Sequence, residues 1–191
     1  MKLEDWLEFF RRYKKCQVLH FNHFRVLTEM SPHSLRVALK RLAERKIIQR
    51  ICRGFYANPF NPPALEEISA VLCKPSYISL ESALCQHGIL SQIPYILTCI
   101  TTQLPRKFET SFGRIQYRQL KKGYFFGFYQ EGAYFLAEPE KAVVDFLYLN
   151  KKEDLEGILV EWDVEKLNYP KLRSYASELH LALPVKPVSK S

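Results

Sequence analysis

SPHSLRVALKRLAERKIIQRICRGFY, residues 31–56, reads as one helix running directly into one hairpin, both of them basic. Ser31 is a good N-cap, and Pro32 suits the first helical position because the N–H it lacks would find no partner there. No further Pro or Gly follows until Gly54. Leu35, Ala38, Leu39 and Leu42 recur at i, i+3, i+4 and i+7, a narrow apolar stripe for a core, while His33, Ser34, Arg36, Val37, Lys40, Arg41 and Arg45 fall on the opposite face. Beyond the helix, Ile47, Ile48 and Ile51 are strand-like in composition, interrupted by Gln49 and Arg50. Arg53-Gly54 can then turn the chain into Phe55-Tyr56, giving a hairpin tipped by Arg50, Arg53 and Gly54.

A helix and a basic hairpin make sense together on a duplex. The major groove, about 12 Å wide, admits a helix whose polar and basic side chains reach base edges, and arginines on the hairpin can lie along phosphates or enter the minor groove. A solvated amphipathic helix, charged only for solubility, is the plainer alternative. The location of the charge decides between them. Residues 1–60 hold 13 of the 28 Lys+Arg and 5 of the 20 Asp+Glu, so the whole net charge of +8 sits in the first third of 191 residues. A module that neutralises phosphates concentrates charge in this way. Membrane-surface binding would instead want a long helix with a broad apolar face.

With 47% hydrophobic residues, the chain can build one generous core or two small ones. Cys16, Cys52, Cys73, Cys85 and Cys99 are odd in number and contain no C-x-x-C pair, which predicts free thiols in a reducing compartment. The charged start and the lack of a long apolar run predict a soluble cytoplasmic protein without signal peptide or membrane span.

Trp6, Leu7, Phe10 and Tyr13 predict a first helix with an aromatic stripe, and Asn22 can cap a short second helix with Phe24 and Leu27 inward. Helix, short helix, longer helix and hairpin is the winged-helix order. NPFNPP, residues 58–63, marks a boundary between a DNA-binding domain at 1–60 and a second domain at 64–191. In the second part, Leu65, Ile68, Val71 and Leu72 form a helical stripe, and a helix capped by Ser79 should end before Gly88. Strands are expected at residues 96–102, 108–110, 114–120, 124–129 and 134–136, separated by glycines and therefore antiparallel. Ala142, Val143, Phe146, Leu147 and Leu149 stripe another helix, residues 165–181 look helical, and nothing in residues 184–191 would hold them down. The fold class is α+β: an N-terminal winged helix-turn-helix, then a mixed helix and antiparallel-sheet domain.

RGFY at residues 53–56, PSYISLESALCQHGIL, TCITT, FETSFGRIQYRQL, GYFFGF and AEPEKAVVDFLYL, taken in that order, resemble the abortive-infection AbiEi antitoxin family, the transcriptional regulators of type IV toxin-antitoxin systems. The resemblance spans nearly the whole chain. It implies a winged helix that represses its own operon at inverted repeats, and a C-terminal domain needed for antitoxin action. It also implies a nucleotidyltransferase-like toxin as functional partner, without necessary direct contact. The chain departs from the pattern at Lys46, where family members often have Gly, and at Ala137-Glu138, where a small hydroxyl residue is expected before Pro-Glu-Lys.

Other constellations have plainer explanations. Cys16, His20 and His23 lack a fourth ligand at a supporting distance, so no metal and no cofactor is expected. His87 suits a helix C-terminus. Glu138, Glu140, Lys141 and Asp145 could suggest a metal-dependent DNA nuclease, but acids favour a first helical turn, and Lys141 to Asp145 is an ordinary i, i+4 pair. No enzyme is expected. Arg106, Lys107, Arg114, Arg118, Lys121 and Lys122 form a possible second basic face, either a wet sheet face or a surface for flanking DNA, RNA or an acidic partner. A further alternative is an interaction protein that neutralises a partner through its C-terminal domain. Tyr124, Phe125, Phe126, Phe128, Tyr129, Tyr134 and Phe135 alternate with no basic residues and read as sheet packing rather than base stacking.

Overall fold

In the computed structural model, which describes residues 1–150 and 162–183, the chain opens with helix α1 (Leu3–Arg12). Trp6, Phe9 and Phe10 are buried on it and meet Phe24 at ring-centroid distances of 6.2, 5.6 and 6.0 Å. The expected stripe ran through Leu7 instead; Leu7 is only half-buried and Phe9 takes the inward position. Strand β1 (Val18–His20) leads straight into α2 (Phe21–Thr28). The cap of α2 is His20, not Asn22: the Asn22 N–H donates to His20 Nδ1 at 3.2 Å, and the His20 N–H donates to His23 Nδ1 at 3.3 Å. Phe24 points inward, but Leu27 is 42% exposed.

Helix α3 (Pro32–Glu44) starts as its sequence dictates, with the Ser34 N–H donating to Ser31 Oγ at 3.2 Å and Leu35, Leu39 and Leu42 buried. Its end is a Schellman closure: the Lys46 N–H donates to Ala43 O at 2.9 Å and the Ile47 N–H to Leu42 O at 3.0 Å. That geometry needs a left-handed residue, and Lys46 supplies it at φ 58°, a conformation glycine would hold without strain. Strands β2 (Gln49–Cys52) and β3 (Phe55–Ala57) follow, and the sheet order is β1-β3-β2, antiparallel throughout.

This small sheet is packed on both faces. Leu19 and Ile48 join Trp6, Phe10, Phe24, Leu35 and Leu39 in one core, whereas Val18, Ile51 and Ala57 belong to the core of the following segment. Polar bonds reinforce the junction: the Ser111 N–H donates to Ile51 O at 3.0 Å, Gln49 Nε2 to Ser111 Oγ at 3.0 Å, and Gln17 Nε2 to Glu67 Oε2 at 2.7 Å. Asn58 is fully buried beside it. Its Nδ2 donates to the carbonyls of Phe10, Tyr13 and Cys16 at 3.1, 3.0 and 3.2 Å, closing the C-terminal end of α1.

The rest of the chain is α4 (Leu65–Leu72), β4 (Ser76–Ile78), α5 (Leu80–Gln86), β5 (Ile96–Thr101), β6 (Arg106–Thr110), β7 (Gly113–Gln119), β8 (Phe128–Glu131), β9 (Tyr134–Ala137), α6 (Pro139–Leu149) and α7 (Tyr169–Glu178). Its six strands run β6-β7-β5-β4-β9-β8. The sheet is mixed, not antiparallel as expected: β5 pairs parallel to β7, and β4 parallel to β9. Turn signals reveal hairpins such as β6–β7 and β8–β9, but a parallel pair joins segments that no single turn connects. Part of the expected strand at residues 124–129 is instead a 3₁₀ turn, Lys122–Tyr124, and the expected C-terminal helix is shorter, with Val164–Lys166 a separate 3₁₀ turn. The expectation for residues 184–191 lies outside the described residues. The fold class is α+β. No helix among the described residues is long and apolar enough to cross a membrane, and the five cysteines are unpaired.

Candidate nucleic-acid interface

Helix α3 turns one side to the leucine core and the other to solvent: His33, Ser34, Arg36, Val37, Lys40, Arg41 and Arg45 are all exposed. Several of them are occupied internally. Ser31 Oγ donates to Ser34 Oγ at 2.9 Å, so both hydroxyls belong to the helix cap. The Arg36 guanidinium lies 5.6 Å over the Phe21 ring of α2, which draws it toward the neighbouring helix and away from the centre of the face. Lys40 makes an exposed i, i+4 pair with Glu44 at 3.7 Å, a contact that costs little to break. Among the described residues, the side chains of His33, Val37 and Arg41 have no hydrogen bond, ion pair or ring contact. They sit at i, i+4 and i+8, one row along the helix.

The hairpin places its arginines at two levels. Arg53 stands exposed at the turn beside Gly54, whose φ of 84° suits glycine and where an added Cβ would sit 3.4 Å from His20 Nε2. Arg50 is lower than expected: it lies on β2 opposite Tyr56, with its Nε donating to Cys52 O at 3.3 Å. Half-burial pushes the Tyr56 phenol and the Cys52 thiol up, and the Arg50 charge opposes both shifts. Arg53 is therefore the free cation of the tip.

The second basic set divides. Arg106, Lys107 and Arg118 meet around an open cavity of about 400 Å³ together with Gln116 and Leu149. Arg118 is not a solvated strand residue as expected, because its Nη1 donates to Asn150 Oδ1 at 2.8 Å and its Nη2 to Leu149 O at 2.9 Å, at the end of α6. Arg114 pairs with Glu109 at 3.5 Å and lies 5.2 Å over the Tyr95 ring. Lys121 and Lys122 are exposed in the turn after β7. Ile115 and Tyr117 fill the core on the opposite face of that strand.

The carboxylates that could have suggested a nuclease are each held by protein donors. Asp145 accepts from Tyr77 Oη and Ser79 Oγ, both at 2.8 Å, and from Lys141 Nζ. Lys141 to Asp145 is no ordinary surface pair, since both side chains are completely buried. Spacing on a helix reports adjacency and says nothing about which face is covered. Burial pushes the Asp145 carboxyl up and the Lys141 ammonium down, and each partner's charge opposes the other's shift. Ser79 likewise spends its hydroxyl on Asp145 instead of capping α5. Glu138 takes the Tyr175 hydroxyl and the Lys171 ammonium; partial burial raises its carboxyl, but these partners outweigh that and hold it below the usual range. Glu140 accepts from the Asn168 N–H at 2.8 Å. His87 Nε2 lies 2.8 Å from Ala137 O. Cys16, His20 and His23 do not converge, and among the described residues no group of three or more His, Cys, Asp or Glu side chains is placed to hold a metal ion. Asn58 and Tyr77 carry structure here without any local signal that could have singled them out.

No family model matches the chain, and no curated protein matches it.

Proposed function

We propose that residues 1–60 form a winged helix that binds double-stranded DNA sequence-specifically and represses transcription, with α3 in the major groove and the β2–β3 wing on the flanking backbone. One observation supports this most: the outward row of α3 and the wing-tip Arg53 are free of internal partners, in the segment that holds all the excess positive charge. Arg41 and His33 are the base readers, Arg50 and Arg53 the phosphate contacts, and Arg36 a support for α2. The proposed targets are inverted repeats in the promoter of its own operon. The proposed role is that of a cytoplasmic antitoxin to a nucleotidyltransferase-like toxin that it need not touch, a role supported by the ordered blocks quoted above.

Fluorescence anisotropy tests the reading, with the upstream duplex and a shuffled duplex compared from low to moderate salt. Preference for the native duplex, lost in Arg41→Ala, is the expected result. Equal, steeply salt-dependent binding to both duplexes would reduce the basic third to an electrostatic anchor and overturn the proposal.

A further inference from the structure

Val37 stands out on α3. At 3.6 residues per turn it points almost directly away from the Leu35–Leu39–Leu42 stripe, so an apolar side chain occupies the centre of a face that is polar around it, with His33, Ser34, Lys40, Arg41 and Glu44 nearest and Arg36 and Arg45 at its edges. It is 37% exposed and packs on no core. A single exposed valine is ordinary on a protein surface. Its neighbours make this one different, because His33 and Arg41, four residues to either side on the same row, are polar side chains that nothing among the described residues engages.

Resting on the DNA-reading role above, we infer that Val37 is a specificity-determining residue that packs against the C5-methyl group of a thymine, between the base pairs approached by His33 and Arg41. The major-groove edge of a base pair offers hydrogen-bonding groups and, for thymine alone, a methyl. A valine can use only the methyl. Four helical residues span about 6 Å, close to two base-pair steps of about 3.4 Å, so the thymine falls about two base pairs from the pair met by Arg41. Lysine or serine in the same place would hydrogen-bond indiscriminately to acceptors on several bases; valine gives up that option and gains discrimination against any pair without a methyl.

The test begins with selection of preferred sites from a random duplex library by the full chain. Each thymine of the selected site is then replaced, one at a time and on either strand, by deoxyuridine, which removes the methyl and leaves base pairing unchanged. Wild type and Val37→Ala are compared by anisotropy. Ala is a good helix former on an exposed face, so the variant keeps the fold. At one position deoxyuridine should weaken wild type about fourfold, which is one buried methyl of about 0.8 kcal/mol at about 1.4 kcal/mol per tenfold. Val37→Ala should bind the thymine and deoxyuridine duplexes alike. Wild type indifferent to deoxyuridine everywhere, or Val37→Ala still sensitive to it, would overturn the inference while leaving sequence-specific binding intact. A library that yields no preferred site would overturn both this inference and the DNA-reading role beneath it.

Discussion

Replacing Lys141 by Met leaves Asp145 buried without its cation. Both side chains have no exposed surface, and Met nearly fills the space of the lysine stem, so the loss is one of charge and hydrogen bonding. Tyr77 and Ser79 still donate to Asp145, but an uncompensated buried carboxylate typically costs about 3–5 kcal/mol. That is a large part of the 5–15 kcal/mol a domain usually has. The expected pH dependence follows from the same burial. In the variant, the folded-state pKa of Asp145 lies above its unfolded value near 4, so the folded protein takes up a proton that the unfolded chain does not, and the penalty shrinks as pH falls from 7.5 to 5.5. Urea titrations at both pH values measure it, with Trp162 as probe, because its ring lies 5.1 Å from Phe146, the neighbour of Asp145. The deficit against wild type should be several kcal/mol at pH 7.5 and should shrink by up to about 1.4 kcal/mol per pH unit. Adding Asp145→Leu should recover much of it. A single variant within about 1 kcal/mol of wild type at pH 7.5, or a deficit equal at both pH values, would refute the view that this pair is desolvated and ionised.

Lys46→Gly should raise stability by about 1 kcal/mol in the same titration, since the left-handed φ of 58° and both Schellman bonds stay while the side-chain strain goes. Asn58→Ala should lower it by about 2–4 kcal/mol, because three carbonyls at and just beyond the end of α1 lose their donor; a near-neutral result would mean that water replaces the amide. On DNA, Arg53→Ala should weaken all duplexes alike and reduce the salt slope by about one unit, whereas Arg41→Ala should cost about 1–3 kcal/mol on the preferred duplex alone; the two anisotropy profiles coinciding would contradict the assignment of one to phosphate and the other to bases.

The parts of this molecule that could be read from sequence are those whose causes are local. Ser31 and Pro32 begin α3 within its own first turn, and Leu35, Leu39 and Leu42 are buried as their spacing requires. The β2–β3 hairpin follows from Ile48, Ile51 and the Arg53-Gly54 turn in the same way. What failed depended on distant partners. Strand β4 has three residues and lies between β5 and β9, so neither its length nor its flanks announce it. Ser79 looks like a helix cap until Asp145, 66 residues away, takes its hydroxyl. Nothing in sequence places Phe21 beside Arg36 or the end of α6 beside Arg118, so their internal contacts are legible only in the fold. The exposed face of α3 follows from the spacing of its leucines, but which of its side chains are at liberty is told only by their neighbours.

The small sheet carries a consequence for how this protein can be cut and recombined. Val18, Ile51 and Ala57 point into the larger core, so a fragment ending near the Pro-rich segment would bare an apolar strip on the back of the small sheet and lose the Ser111 bond to Ile51. Grafting residues 1–60 onto another protein would therefore require repainting those three positions with polar residues, or carrying the β6–β7 hairpin along as a splint. The N-terminal segment is no interchangeable cartridge: its small sheet is stiffened from behind by the body to which it belongs.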